Sequence, residues 1–217
     1  MNLVHTVNVI HDSPNLNRRQ RKRLDRIDEI LRAADGLVRH EGLDGLTMQT
    51  LAAEMDASVG AVYRYFPGKQ ALLAGLQVKA VQTLSRLLEQ RIERGQDPLV
   101  RIELAFGSWR AFALAEPSLF ALVDRSLSDP SRVLDDEQAA QVRQAIDPIL
   151  ERCAALLQDA VQAGRLAPGD ARVRAHVLWA SVRGAHHLRK QRQGPDADLV
   201  QAEAIRALLR GWHADCS

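Results

Sequence analysis

Residues 46–73 read LTMQTLAAEMDASVGAVYRYFPGKQALL, and this stretch decides the fold of the N-terminal part of the chain. Thr47 and Ser58 each precede a short segment with helical periodicity, and both residue types are favourable helix N-caps. A break at Asp56 separates the two segments, and Pro67 ends the second one. Two short helices joined by a tight turn are typical of a helix-turn-helix, whose second helix can enter the major groove of DNA.

A longer helix is predicted before this pair, starting at Arg26. Its apolar residues fall on one stripe, and Gly42 is placed to end it in a left-handed conformation. We therefore expect a three-helix domain over residues 26–69, preceded by a flexible basic tail over residues 1–25. Residues 1–17 lack the features of a signal peptide, and they also fit a start codon assigned too early.

The positive charge of the chain is concentrated in that N-terminal segment. The formal net charge is only +2, so the position of the basic residues matters more than their number. A basic run next to a helix-turn-helix favours nucleic acid as the partner, although a solvated run without a partner has the same composition. The run consists of Arg18, Arg19, Arg21, Lys22, Arg23 and Arg26.

The rest of the chain is also predicted to be helical, which makes the fold all-α. Hydrophobic residues make up 46% of the 217 residues, the composition favours helix formers, and no stretch has the pattern of a strand. We expect residues 70–217 to form a larger helical-bundle domain for ligand binding and dimerisation. Its predicted helices span residues 70–94, 98–115, 117–127, 135–163, 170–192 and 197–213, with a kink or break at Pro148.

Both tyrosines of the chain lie in the opening stretch, although aromatic residues make up only 4% of the sequence. Val62 and Phe66 are four residues apart, so they share a helix face and are expected to form the core. Tyr63 and Tyr65 point elsewhere, and their hydroxyl groups can reach phosphate oxygens. Lys69 begins the next helix, whose dipole favours an anion. The expected phosphate contacts are therefore Thr47, Tyr63, Tyr65 and Lys69.

Small residues shape the surface of the second short helix. Gly60 and Ala61 keep this surface low, which would let the backbone approach the bases; Gly60 fits equally well with close packing against another helix. Val59 and Ala61 offer no hydrogen bonds. We therefore expect base recognition to rest on contacts with thymine methyl groups, on Arg64 and on DNA shape.

The stretch from Leu46 to Leu73, preceded by a helix ending in HEG, resembles the DNA-binding domain of the TetR family of transcriptional regulators. The resemblance covers residues 26–75 and includes the VYRYF block. It implies a homodimer that binds double-stranded operator DNA, with contacts from Thr47, Ser58, Tyr63, Tyr65 and Lys69. The sequence departs from the family at Asp56, where glycine is common, and at Tyr65, where histidine is common.

The last two helices carry the apolar stripes that the resemblance assigns to dimerisation. In this family they pair across a two-fold axis as a four-helix bundle; an internal core would also use such stripes. The first stripe is Val173, Val177, Ala180, Gly184 and Leu188, and the second is Leu199, Ala202, Ile205, Leu209 and Trp212.

A ligand cavity is expected among the aromatic residues of the same domain, although aromatic residues at helical spacing are also typical of a core. An apolar cavity would suit a hydrophobic effector. His186 and His187 are adjacent and poorly placed to bind one metal ion, so neither a metal site nor a cofactor is expected. The candidate ligand-binding residues are Trp109, Phe112, Phe120, Trp179, Arg183 and His187 or its neighbour.

These observations favour a ligand-responsive repressor that binds a palindromic operator as a dimer. A ligand-responsive activator and a helical protein-interaction adaptor are the alternatives. No enzyme motif is present, such as a P-loop, HExxH or CxxC, so catalysis is not expected. Cys153 and Cys216 have no disulfide or metal spacing, and no segment is long and apolar enough for a membrane, so we expect a cytoplasmic protein.

Overall fold

The computed structural model describes residues 17–128, 134–191 and 196–213. Within these ranges there are nine helices and no strands, which confirms the all-α prediction. The helices are α1 (Arg18–Gly45), α2 (Met48–Glu54), α3 (Val59–Tyr63), α4 (Lys69–Ile92), α5 (Pro98–Ala115), α6 (Pro117–Ser128), α7 (Asp136–Gln162), α8 (Ala171–Gln191) and α9 (Ala197–Gly211).

Helix α1 begins eight residues before the predicted start, which corrects the flexible tail predicted over residues 1–25. Asn17 caps the helix: its side chain accepts from the Gln20 amide at 2.9 Å, and the Gln20 side chain accepts from the Asn17 amide at 2.9 Å. This reciprocal pair satisfies two backbone donors, and the helix that it begins includes the whole basic run. The predictions for residues 1–16 lie outside the described residues.

Local backbone geometry follows the sequence closely elsewhere. Gly42 has a φ of 74° and interrupts α1, as expected from its tolerance of positive φ, but α1 continues to Gly45 instead of ending at Gly42. Helix α7, in contrast, continues through Pro148 without a break. The residues on both sides of this proline, Ile146 and Ile149, are buried, and their packing holds the helix together where one backbone hydrogen bond is missing.

The chain divides into two compact units that share long helices. One unit contains the described residues within 1–82 and 116–145, and the other contains those within 83–115 and 146–217. Helices α4 and α7 each contribute to both units. Val62 and Phe66 are buried in the first unit, as predicted from their spacing. A domain boundary at residue 69 remains a prediction.

The two C-terminal stripes have different surroundings. On α8, Val173 is 58% exposed, and the other members of its stripe are exposed as well. On α9, Ile205 and Leu209 are buried against the second unit, while Leu199 is 65% exposed. The α9 stripe therefore contributes Ile205 and Leu209 to the internal core, whereas the α8 stripe has no cover within the described part of its unit.

Candidate nucleic-acid interface

The first helix of the predicted motif, α2, is fixed by a cap at Thr47. The Thr50 amide donates to Thr47 Oγ1 at 3.0 Å, and the Thr47 amide donates to Thr50 Oγ1 at 2.9 Å. Thr50 Oγ1 also donates to the Gly45 carbonyl oxygen at 2.8 Å, which ties α2 to the end of α1. Thr47 is therefore an N-cap, as predicted, and its hydroxyl group is already engaged with Thr50.

The turn between α2 and α3 is a left-handed helix end. Asp56 has a φ of 46° and is the only described non-glycine residue with positive φ. The Ala57 amide donates to the Ala52 carbonyl at 2.9 Å and the Asp56 amide to the Ala53 carbonyl at 3.1 Å, the paired bonds of a Schellman motif. Asp56 thus adopts the conformation for which glycine is common, because aspartate tolerates it better than most residues.

Helix α3 presents its small residues to solvent. Ser58 caps it, since the Ala61 amide donates to Ser58 Oγ at 3.2 Å. A Cβ added at Gly60 would have no neighbour within 4 Å among the described residues. Close helix packing within the described part of the chain therefore does not explain Gly60, and clearance for an external partner stays a prediction. Val59 and Ala61 are half-buried beside it.

Tyr63 and Arg64 extend from the end of α3. Tyr63 is 47% exposed, and its hydroxyl group has no hydrogen-bond partner in the described part of the chain. Arg64 is exposed as well. The Tyr63 hydroxyl group can therefore reach a ligand outside the protein without breaking an existing hydrogen bond.

Tyr65 joins α3 to the basic run. The guanidinium carbon of Arg23 lies 5.2 Å from the centroid of the Tyr65 ring, and that of Arg64 lies 5.4 Å from it. Both distances are in the range of cation–π contacts. The ring therefore holds two positive charges beside α3. The sequence predictions missed Arg23 as an individual site residue, and the only signal for it was the basic run.

Lys69 starts α4 and points back to α1. Its ammonium nitrogen donates to the Leu43 carbonyl oxygen at 3.0 Å, and its side chain is half-buried. An ammonium group has three donors, so two remain for a phosphate. The structure thus gives Lys69 a structural contact in addition to the predicted one.

The predicted ligand-binding residues are only partly brought together. The rings of Trp109 and Trp179 meet edge to face, with centroids 4.6 Å apart. They line a cavity of only about 20 Å³ together with Cys153, whose burial raises the pKa of its thiol to about 12. Phe112 is fully buried, and Arg183 is half-buried.

Two further candidates lie away from this cavity. Phe120 is buried and belongs to the first unit, whereas His187 is exposed on α8. Across residues 17–128, 134–191 and 196–213 no group of three or more His, Cys, Asp or Glu side chains could hold a metal ion. In the same ranges, no helix combines the length and the apolar character needed to span a membrane.

Comparisons with known proteins agree with this geometry. Residues 30–76 match the family described as bacterial regulatory proteins of the tetR family. Residues 102–211 match a tetracyclin repressor-like C-terminal domain.

Individual relatives match different shares of the chain. The nucleoid occlusion factor SlmA of Vibrio cholerae serotype O1 is 29% identical over 170 residues, which cover 76% of this chain and 83% of SlmA. The transcriptional repressor DrrR1 of Streptomyces coeruleorubidus is 34% identical over 86 residues, or 39% of this chain and 26% of DrrR1. A solved structure of a protein with unknown function from Rhodococcus sp. RHA1 has a TM-score of 0.72 and 27% identity, and the likeness covers 86% of this chain and 95% of that one.

Two family matches span the two parts of the chain, and the helix-turn-helix of the first is present with its caps, its turn and its exposed second helix. The chain therefore belongs to the TetR family of bacterial DNA-binding transcriptional regulators.

Proposed function

We propose that this regulator is a ligand-responsive repressor, which binds a palindromic operator as a homodimer and is released by a small hydrophobic effector. The observation that carries the proposal is the surface around α3. Gly60 leaves clearance there, the Tyr63 hydroxyl group is exposed, and Tyr65 holds Arg23 and Arg64 at the same place. An exposed helix with low relief and flanking positive charge suits the major groove of DNA.

The exposed stripe of α8 supports the homodimer. Val173, Val177 and Leu188 are 58%, 38% and 38% exposed, and Ala180 and Gly184 continue the same helix face. Apolar residues at this spacing indicate a partner helix, and small residues allow a close approach. A two-fold axis through this face would present two copies of α3 to the two halves of a palindrome.

Fluorescence anisotropy with the DNA that flanks the gene of this protein tests the proposal. We expect salt-dependent binding of a dimer, weakened by Tyr63→Phe, which removes only the exposed hydroxyl group, and by Lys69→Ala. Arg94→Ala, which removes an exposed cation of the second unit, is the control and should leave the affinity unchanged. Unchanged affinity in both Tyr63→Phe and Lys69→Ala would refute the phosphate contacts.

The sign of regulation and the effector need separate measurements. Expression of the flanking gene should rise in cells from which the gene of this protein is deleted. A fall in expression would instead indicate the activator alternative. An effector that prefers the form with low operator affinity lowers the operator affinity of the protein by a certain factor. Bound operator DNA must then lower the affinity of the protein for the effector by the same factor. We further propose that the protein acts in the cytoplasm, without a catalytic reaction or a cofactor.

A second candidate function comes from the relative SlmA, because its likeness extends over 76% of this chain. In this alternative the protein is a nucleoid occlusion factor. Imaging nucleoids and division sites in cells that lack the protein distinguishes the two functions. Normal division together with changed expression of one flanking gene would favour the repressor.

A further inference from the structure

Helix α5 is apolar on two faces instead of one. Its inner face is buried and includes Ile102, Phe106 and Phe112. A second apolar stripe runs along the outer face, where Val100 is 44% exposed and Leu114 is 58% exposed. A surface helix normally has one apolar face, so the outer stripe indicates a binding surface. The stripe consists of Val100, Leu104, Gly107, Ala111 and Leu114.

A groove of about 400 Å³ lies over the N-terminal half of this stripe, entirely within the second unit. Leu199, Ala202 and Ile205 of α9 form its other apolar wall, and Arg91 closes it at the end of α4. Its volume is in the range of small-molecule sites, which hold about 300–1,000 Å³. The cavity beside Trp109 and Trp179 has only about 20 Å³, so the groove is the better site for a ligand.

The charges of the groove are unequally satisfied. Arg110 forms an ion pair with Asp198, and Arg206 lies 3.7 Å from Glu203. Arg91 has no carboxylate partner among the described residues.

Arg91 is held over the apolar floor of the groove. Its Nε donates to the Leu104 carbonyl at 3.4 Å, and Gly107 leaves room for its guanidinium group, since an added Cβ would lie 3.4 Å from Arg91 Nη2. Glu103 is exposed and also lines the groove, so it disfavours a ligand with several negative charges. The groove therefore offers one unpaired cation beside an apolar surface.

We propose that this groove binds a small amphipathic molecule with a single carboxylate. The carboxylate pairs with Arg91, and the apolar chain lies along Val100, Leu104 and Ala202. An arginine favours a carboxylate because its planar donors can form two parallel hydrogen bonds with it. The effector role of such a molecule rests on the proposed function, whereas its binding site does not.

Isothermal titration of the full-length protein with decanoate, without DNA, tests the site directly. We expect saturable binding of one decanoate per protomer and no binding of decyltrimethylammonium, which has the same chain and the opposite charge. Arg91→Gln should weaken decanoate binding about tenfold or more. Ala202→Trp, which fills the groove, should abolish it. Arg94→Gln, an exposed neighbour outside the groove, is the matched control and should bind as the native protein does.

Circular dichroism and thermal melting establish that each variant is folded, and either folded variant is sufficient for the test. Absence of saturable decanoate binding, or equal affinity of Arg91→Gln and native protein, would overturn the proposal. Loss of the dimer in Ala202→Trp, with no decanoate binding to native protein, would assign the groove to a second copy and also overturn it. Decanoate binding that leaves operator affinity unchanged would support the site and contradict only the effector role.

Discussion

The ammonium nitrogen of Lys69 lies 3.0 Å from the carbonyl oxygen of Leu43 and donates a hydrogen bond to it. This contact joins the first residue of α4 to the last turn of α1, just beyond the interruption at Gly42. It thereby connects the helix that follows the DNA-binding motif to the helix that precedes it. Lys69 consequently has a role in folding as well as the predicted role in DNA binding.

Lys69→Met should lower the free energy of unfolding by about 1–2 kcal/mol, because the half-buried Leu43 carbonyl loses a charged donor. Urea unfolding followed by circular dichroism measures this change. Lys22→Met, at an exposed position of α1, is the control and should change the free energy by less than about 0.5 kcal/mol. Equal unfolding midpoints for Lys69→Met and native protein would contradict a structural role.

Tyr65→Leu should weaken operator binding more than Tyr65→Phe does, because leucine removes the ring that holds Arg23 and Arg64. Each cation–π contact contributes about 0.5–1 kcal/mol at an exposed site, so losing both contacts corresponds to a difference of about five- to thirtyfold in affinity. Anisotropy at several salt concentrations measures it. If Tyr65→Leu and Tyr65→Phe bind operator DNA with equal affinity, and both more weakly than the native protein, only the hydroxyl group of Tyr65 matters.

Gly60→Ala should stabilise the protein and weaken operator binding. Alanine favours a helix over glycine by up to about 1 kcal/mol, and a Cβ at this position meets nothing within 4 Å. The same methyl group would stand between α3 and the bases, and we expect about a tenfold loss of affinity. Thermal melting and anisotropy on one sample give both values. Full operator affinity in this variant would show that clearance at Gly60 is not needed.

Gly75→Ala should destabilise the first unit. A Cβ at Gly75 would lie 3.0 Å from Leu31 Cδ2 and 3.0 Å from Phe66 Cε1, so these buried side chains would have to move. Overpacking of this kind costs about 1–3 kcal/mol. Gly36→Ala is the matched control, because its Cβ would have no neighbour within 4 Å, and it should raise stability by up to about 1 kcal/mol. Thermal unfolding of both variants measures whether a methyl group lowers stability at the crowded Gly75 site and raises it at the open Gly36 site.

Asp28→Asn should reduce the loss of stability in acid. Burial alone would raise the pKa of Asp28, but Lys79 at 3.2 Å and Arg32 at 3.0 Å outweigh it and hold the pKa below its usual value. A lowered pKa in the folded state contributes stability that is present above the unfolded pKa of about 4 and is lost as the pH falls through the folded value. Asp28 is 40% exposed, so the effect is small. Unfolding midpoints that decline equally below pH 4 in native and variant proteins would contradict it.

Much of the site could be predicted because its parts are local. Thr47 and Ser58 cap the helices that follow them, Gly42 has the expected positive φ, and Asp56 has a positive φ at the predicted break. Each of these features depends on residues no more than five positions apart, so the sequence pattern contains all the information needed. The start of α1 is an exception. Its capping box is formed by Asn17 and Gln20, which lie where the charge pattern of the basic run indicates a tail and not a helix.

The remaining features depend on contacts between residues far apart in the chain. Such contacts join Arg23 of α1 to Tyr65 after α3, Lys69 of α4 to Leu43 of α1, and Trp109 of α5 to Trp179 of α8. Sequence spacing cannot predict such contacts, because they depend on how the helices pack and on which faces they turn to each other.

By itself, the sequence determined that this protein is all-α and that it carries a capped helix-turn-helix, because caps, turns and helical periodicity are local. Only the tertiary structure decided that the stripe of α8 stays exposed while Ile205 and Leu209 of α9 are buried. It also decided that a groove opens beside Arg91 and that the cavity at the tryptophans is small. The physical reason is that burial and free volume depend on how the helices pack, and helices with similar apolar stripes can pack in different ways.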